Sequence, residues 1–166
     1  MEEMKEKIYN LLEQNLNQIA ETDIKIILGG FNAKVGKESI YKPTVGNESL
    51  YNETNNNGIK MIQFAISNGL NVRSTMFPHK DVHKETWYSA DGRTVNQIGH
   101  VLNSNRFRSA KTDIRALKRP DIGSDHNVPK INFKVKLSVK TGNKYDEKRK
   151  KMNIFQNPKW KREYAV

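Results

Sequence analysis

Eight residues, Ile26-Ile27-Leu28-Gly29-Gly30-Phe31-Asn32-Ala33, constrain this chain more than any others. A short apolar run stops at two glycines, and a polar amide follows at once. With Lys25 as its only interruption, the run from Ile24 to Leu28 reads as a strand covered on both faces. In α/β proteins ligands collect beyond the carboxyl ends of such strands. Glycine there lets the backbone turn sharply or approach a ligand closely. Asn32 is therefore a candidate site residue at the top of a buried strand. The plainer reading makes Gly29-Gly30 a turn and Asn32 a turn residue.

The flanking segments extend the α/β pattern. Met4, Ile8, Leu11, Leu12, Leu16 and Ile19 recur at helical spacing, which predicts an amphipathic helix over residues 4–20 with those side chains buried. Residues 34–57 read as a long loop holding Gly36, Pro43, Gly46 and Asn55-Asn56-Asn57. Asn57 is placed to cap a helix over 58–68 that buries Ile59, Ile62, Ala65 and Ile66 and stops at Asn68-Gly69. Leu70–Thr75 reads as a strand. A hairpin joins the strand at Thr86–Ser89 to a second strand over Thr94–Leu102 through the turn at Ala90-Asp91-Gly92. Short strands follow at Arg106–Ser109 and Asp113–Leu117. A closing strand spans Val128–Leu137, where Pro129 predicts a late start or an edge position.

Composition bounds the chemistry. The 166 residues suffice for one domain, and their 36% hydrophobic content means a small core or an unfolded part. There is no cysteine, which excludes disulfides, thiolate metal sites and cysteine nucleophiles. No run approaches the length of a membrane span, and the charged start lacks an apolar signal segment, so an intracellular protein, with the nucleus among its compartments and no membrane partner, is expected. The formal net charge is +11, of which +8 lies between Lys134 and Val166. Such an excess favours polyanions. Within that tail, Lys148-Arg149-Lys150-Lys151 reads as a solvated linker, a nucleic-acid contact or a nuclear-import signal. Trp160 and Tyr164 read as a helix docking on a neighbour or as stacking platforms for bases.

Ser124-Asp125-His126 is a second candidate site. The carboxylate can bind a hard cation or orient the ring, and a donating imidazole can stabilise charge on a phosphate oxygen. Its plain alternative is an N-cap or loop cluster. His79 and His83, four apart, have metal-ligand spacing, but Pro78, Lys80 and Lys84 argue against it. Trp87 is most simply a core residue, and Asp91-Gly92 a hairpin turn.

Taken in order, Gly-Gly-Phe-Asn-Ala, Phe77-Pro78-His79-Lys80, Lys84-Glu85-Thr86-Trp87, Asn96-Gln97-Ile98-Gly99-His100-Val101-Leu102 and Ser124-Asp125-His126 resemble the endonuclease/exonuclease/phosphatase superfamily. More narrowly they resemble the endonuclease domain of RTE-type non-LTR retrotransposons. The resemblance runs from about Lys5 to Leu137, and residues 138–166 are similar to the linker to reverse transcriptase in those elements. It implies an α/β fold, the C-terminal part of a four-layered α/β/β/α sandwich of the DNase I-like kind. It implies a hydrolase that cuts DNA phosphodiesters with Mg²⁺ or Mn²⁺, with DNA and the reverse transcriptase domain of the intact element as partners. By the same resemblance Asn32 holds the phosphate and the attacking water, His126 contacts the scissile phosphate, and Asp125 helps bind metal or position His126.

Three departures from the family pattern bear on activity. Gly30 stands where the family has the Asp that activates water. Gly99 stands where it has the Asp that hydrogen-bonds the catalytic His. The early Asn, the metal-binding Glu and a phosphate-contacting Tyr or His, all from the first half of the family domain, have no counterpart. Loss of a general base costs about 10²–10⁴-fold in rate, and Asp125 alone is a poor Mg²⁺ site. The expectation is an inactive copy, a pseudoenzyme, whose unpartnered sheet face favours association or marginal folding. A non-catalytic basic nucleic-acid-binding fragment and a decayed reading frame without function are the competing expectations.

Overall fold

The computed structural model describes residues 2–107, 111–117 and 124–134. They belong to one compact unit, Met1–Val135. Helix α1 is Glu2–Asn17 and strand β1 is Ile26–Gly30. After a long loop come helix α2, Asn56–Ser67, and strand β2, Leu70–Val72. Strands β3, Trp87–Tyr88, and β4, Val95–Asn96, form a small hairpin. Strand β5 is Gly99–Ser104. Strands β6, Lys111–Leu117, and β7, Val128–Lys134, pair along their whole length. The fold is mixed α/β with antiparallel sheets, and the principal sheet has the order β1-β5-β2.

β5 is central, and its four inner residues, His100 to Asn103, are all buried. Strand alternation assigns them to two faces. Leu102, with its register partners Ile27 and Val72, packs beneath α2 on Met61 and Ile62. Fully burying side chains of this size contributes roughly 1.5–3 kcal/mol each. Asn55 caps α2 by accepting from Gly58 N at 2.8 Å, and the same oxygen accepts from Lys34 N at 3.1 Å. The cap is thus two residues earlier than the sequence suggests, because this amide also ties the β1 loop to the helix. α2 ends at Asn68 and Gly69, whose φ of 60° is a glycine conformation. Its buried side chains are Met61, Ile62, Phe64 and Ala65, whereas Ile66 is exposed.

Other expectations change for identifiable reasons. α1 reaches the core through Tyr9, Leu12 and Leu16, with the Tyr9 and Phe64 rings 5.2 Å apart. Met4, Ile8 and Leu11 lie on a neighbouring stripe and stay exposed. β1 is an edge strand and not one covered on both faces: Ile27 packs on the core, while Leu28 is 52% exposed. Gly29 and Gly30 are its last residues and not a turn. The 94–102 stretch is two strands belonging to different sheets. Thr86 causes the break, since its hydroxyl accepts from both Ile98 N and Gly99 N at 2.9 Å. Val72 is followed by a 3-10 turn over Arg73–Thr75, and another 3-10 turn, Asn105–Phe107, occupies the start of the expected strand at 106–109. β7 begins at Val128 with Pro129 inside it. Among the described residues its sheet has two strands, so the proline's missing donor interrupts no second ladder there.

Candidate functional site at the end of β1

Asn32 lies just beyond β1 with φ of 51°, the left-handed region that asparagine tolerates better than most residues. Two contacts hold this bend. The Asn32 carbonyl accepts from Asn57 Nδ2 at 2.8 Å. The next carbonyl, that of Ala33, is 2.8 Å from His100 Nε2. A carbonyl only accepts, so Nε2 carries the hydrogen and Nδ1 accepts from the Ser74 hydroxyl at 2.9 Å. Burial pulls the His100 ring down to about 4, against the opposing effect of its bond to Ala33. A neutral histidine in the core therefore anchors the residue after Asn32.

Gln97 secures the other side of the bend. Its carbonyl oxygen accepts from Leu50 N at 3.1 Å, its amide donates to Ser74 O at 3.2 Å, and its backbone N donates to Tyr51 Oη at 3.0 Å. Tyr51 in turn donates to Asn96 Oδ1 at 2.9 Å. The long loop is thus stitched to the β4–β5 junction.

The segment Asp125–Asn127 lies along β3. Tyr88 N donates to Asp125 O and Asn127 N to Thr86 O, both at 3.0 Å, and Trp87 and His126 form an antiparallel bridge. Trp87 is half-buried and not a core residue, and its indole N–H donates to Asp125 Oδ2 at 2.8 Å. The other carboxylate oxygen is 3.7 Å from His126 Nε2, and both side chains of that pair are more than half exposed. Neither an N-cap nor a loose loop, Ser124-Asp125-His126 is a docked edge, with Ser124 Oγ accepting from His126 N at 3.1 Å.

One cavity of about 1100 Å³ joins these groups. Gly29, Gly30, Asn32, Trp87, Ile98 and His126 line it, together with Lys5, Lys34, Lys60, Asn55 and Asn57. Gly30 and Gly99 are register partners across β1 and β5. Side chains there would share a face. A Cβ at Gly30 would meet nothing within 4 Å, whereas one at Gly99 would meet Thr86 Cβ at 3.3 Å. The two glycines singled out in the sequence are therefore neighbours, and one of them opens onto the cavity that holds Asn32 and His126.

Mg²⁺ or Mn²⁺ does not suit these side chains. None of the residues lining the cavity is Asp or Glu. Asp125 has one oxygen engaged by Trp87. Among the described residues no three His, Asp or Glu side chains group as metal ligands do. That includes His79 and His83, whose rings are 6.2 Å apart while His79 Nε2 is 2.6 Å from Asp113 Oδ1. The cluster Lys148, Arg149, Lys150 and Lys151 lies outside the described residues.

Several contributors were not evident from sequence. Trp87 carried no signal separating a site indole from a core one. Asn57 was visible only as part of an asparagine run. Lys5 and Lys60 fall on the polar sides of amphipathic helices, where charge is ordinary.

Comparison with known proteins places the chain beside one curated protein in two species. It is 30% identical over 133 residues to Craniofacial development protein 2 of Bos taurus, covering 80% of this chain and 22% of that protein. Against Craniofacial development protein 2 of Tragulus javanicus it is 30% identical over 133 residues, covering 80% of the chain and 23% of the relative. The chain spans less than a quarter of the length of these relatives. No family model matches, and no solved structure matches.

Proposed function

We propose that this chain is a retrotransposon-derived endonuclease segment of the endonuclease/exonuclease/phosphatase class, related to RTE-type elements, that no longer cleaves DNA. The observation carrying this reading is that Gly30, which opens onto the cavity of Asn32, Trp87 and His126, is the register partner of Gly99 on β5. The class places acids at these two positions. Two adjacent carboxylates there would supply the water-activating base and the partner of the phosphate-contacting His. Glycine at both removes those charges, while Asn32, Trp87 and His126 still meet in one cavity. The distant homology to Craniofacial development protein 2 supports descent from a nucleic-acid-related family. The mixed α/β fold with antiparallel sheets is compatible with part of a four-layered sandwich.

The remaining chemistry is binding and orientation. His126 is exposed enough to reach a phosphate oxygen, and Asn32 is held rigidly by Asn57 and, through Ala33, by His100. Trp87 fixes the Asp125 carboxylate. No side chain at the cavity is placed to act as the carboxylate base. Supercoiled plasmid incubated with the purified chain and Mg²⁺ or Mn²⁺ should show no nicking beyond that of His126→Ala. Metal-dependent nicking abolished by His126→Ala would refute the loss of cleavage.

A further inference from the structure

We infer that the lysine-lined wall of this cavity binds a polynucleotide phosphate directly, without a divalent cation. The inference rests on the reading of the cavity as a nucleic-acid site and adds how charge is balanced there. With glycine at position 30, the charged side chains that line the cavity are all basic. The lining contains Lys5, Lys34, Lys60 and His126 and no carboxylate. A site of that composition repels a divalent cation and attracts the phosphate that the cation would otherwise bridge.

The lysines are integrated with the bend at Asn32. Lys5 Nζ donates to Asn57 Oδ1 at 2.8 Å, and Asn57 Nδ2 donates to Asn32 O at 2.8 Å. A continuous chain of hydrogen bonds thus links an ammonium to the backbone beside β1. Lys60 stands on the second turn of α2, and Lys34 Nζ lies 5.2 Å from the centroid of the Tyr51 ring.

Two carboxylates stand just outside the lining: Asp125, held by Trp87 beside His126, and Glu2, which pairs with Lys60 and, at 3.3 Å, with Lys5. Lys60, then Lys5, hold its carboxyl below the usual carboxylate range. Glu2 occupies the place a phosphate would take on the two ammonium groups, and its side chain is 61% exposed, so a phosphate can displace it. The partly exposed Trp87 ring in the same cavity offers a face to an unstacked base, which favours a single strand.

The test is fluorescence anisotropy of a labelled oligothymidylate with the full chain in EDTA, over a series of salt concentrations. Binding should occur without metal and gain nothing from added Mg²⁺. Lys5→Gln with Lys60→Gln should weaken it about tenfold and lower the log–log salt slope by about 0.7 per lysine. Glu2→Gln should tighten binding in the same assay, and this variant decides the matter if the double lysine variant does not fold. Binding that appears only with Mg²⁺ would overturn the inference and leave the nucleic-acid reading standing. The inference also fails if affinity ignores Lys5, Lys60 and Glu2 but disappears when Lys148, Arg149, Lys150 and Lys151 become Gln. Absence of any binding would overturn the inference and the nucleic-acid reading together.

Discussion

The two faces of the β1-β5-β2 sheet differ sharply. Beneath α2 the sheet is apolar and dry: Leu70, Val72 and Leu102 are wholly buried against Met61 and Ile62. On the opposite face the register rows are Ile26–Asn103, Leu28–Val101 and Gly30–Gly99. There Leu28 is exposed, Asn71 Nδ2 and both amide atoms of Asn103 are buried without a hydrogen-bond partner in the described structure, and the last row has no side chains. The sheet is packed on one face, and the site gathers at the end of β1, where groups from α1 and α2 meet the row of Gly30.

The strongest way to break that contrast is to truncate one leucine on each face. Leu102→Ala should lower unfolding stability in urea by about 2–5 kcal/mol, and Leu28→Ala by less than about 1 kcal/mol. Equal losses would mean that both faces are packed and that the comparison is false.

A pH series sharpens it, because His100 links the packed face to the site. Its ring is neutral in the folded chain and held down to about 4, below an ordinary value of about 6.5. The unfolded chain therefore takes up this proton first. Stability should be fully present above about 6.5 and decline by about 3 kcal/mol as pH falls through about 4. His100→Gln should flatten that part of the stability–pH curve. An unchanged curve in the variant would show that another group is responsible.

Much of the helix-covered face was legible in sequence, and less of the site was. α2 follows from apolar spacing, whereas for α1 the spacing gives the helix but not its buried stripe, which is Tyr9, Leu12 and Leu16. What periodicity cannot report is how many strands flank β1. Ile24 to Leu28 has the composition of a covered strand, yet β1 lies at an edge with Leu28 in solvent. The break between β4 and β5 was hidden because it depends on the hydroxyl of Thr86, some ten residues away in the chain. The motif residues Asn32, Gly30 and His126 were visible singly. Their meeting in one cavity required the register of β1 on β5 and the docking of His126 on Trp87. The lysine wall was invisible, because Lys5 and Lys60 come from different helices and converge only through Asn57 and Glu2.

With no acid among the residues that line it, the cavity is expected to hold no divalent cation. Mn²⁺ titration followed by line broadening in NMR spectra of the Trp87 indole and the His126 ring tests it most directly. No selective broadening of either signal is expected in this chain, and none once Gly30→Asp and Gly99→Asp are introduced together, because the metal-binding Glu of the class still has no counterpart. Saturable, selective broadening of Trp87 and His126 by Mn²⁺ in the unaltered chain would contradict it.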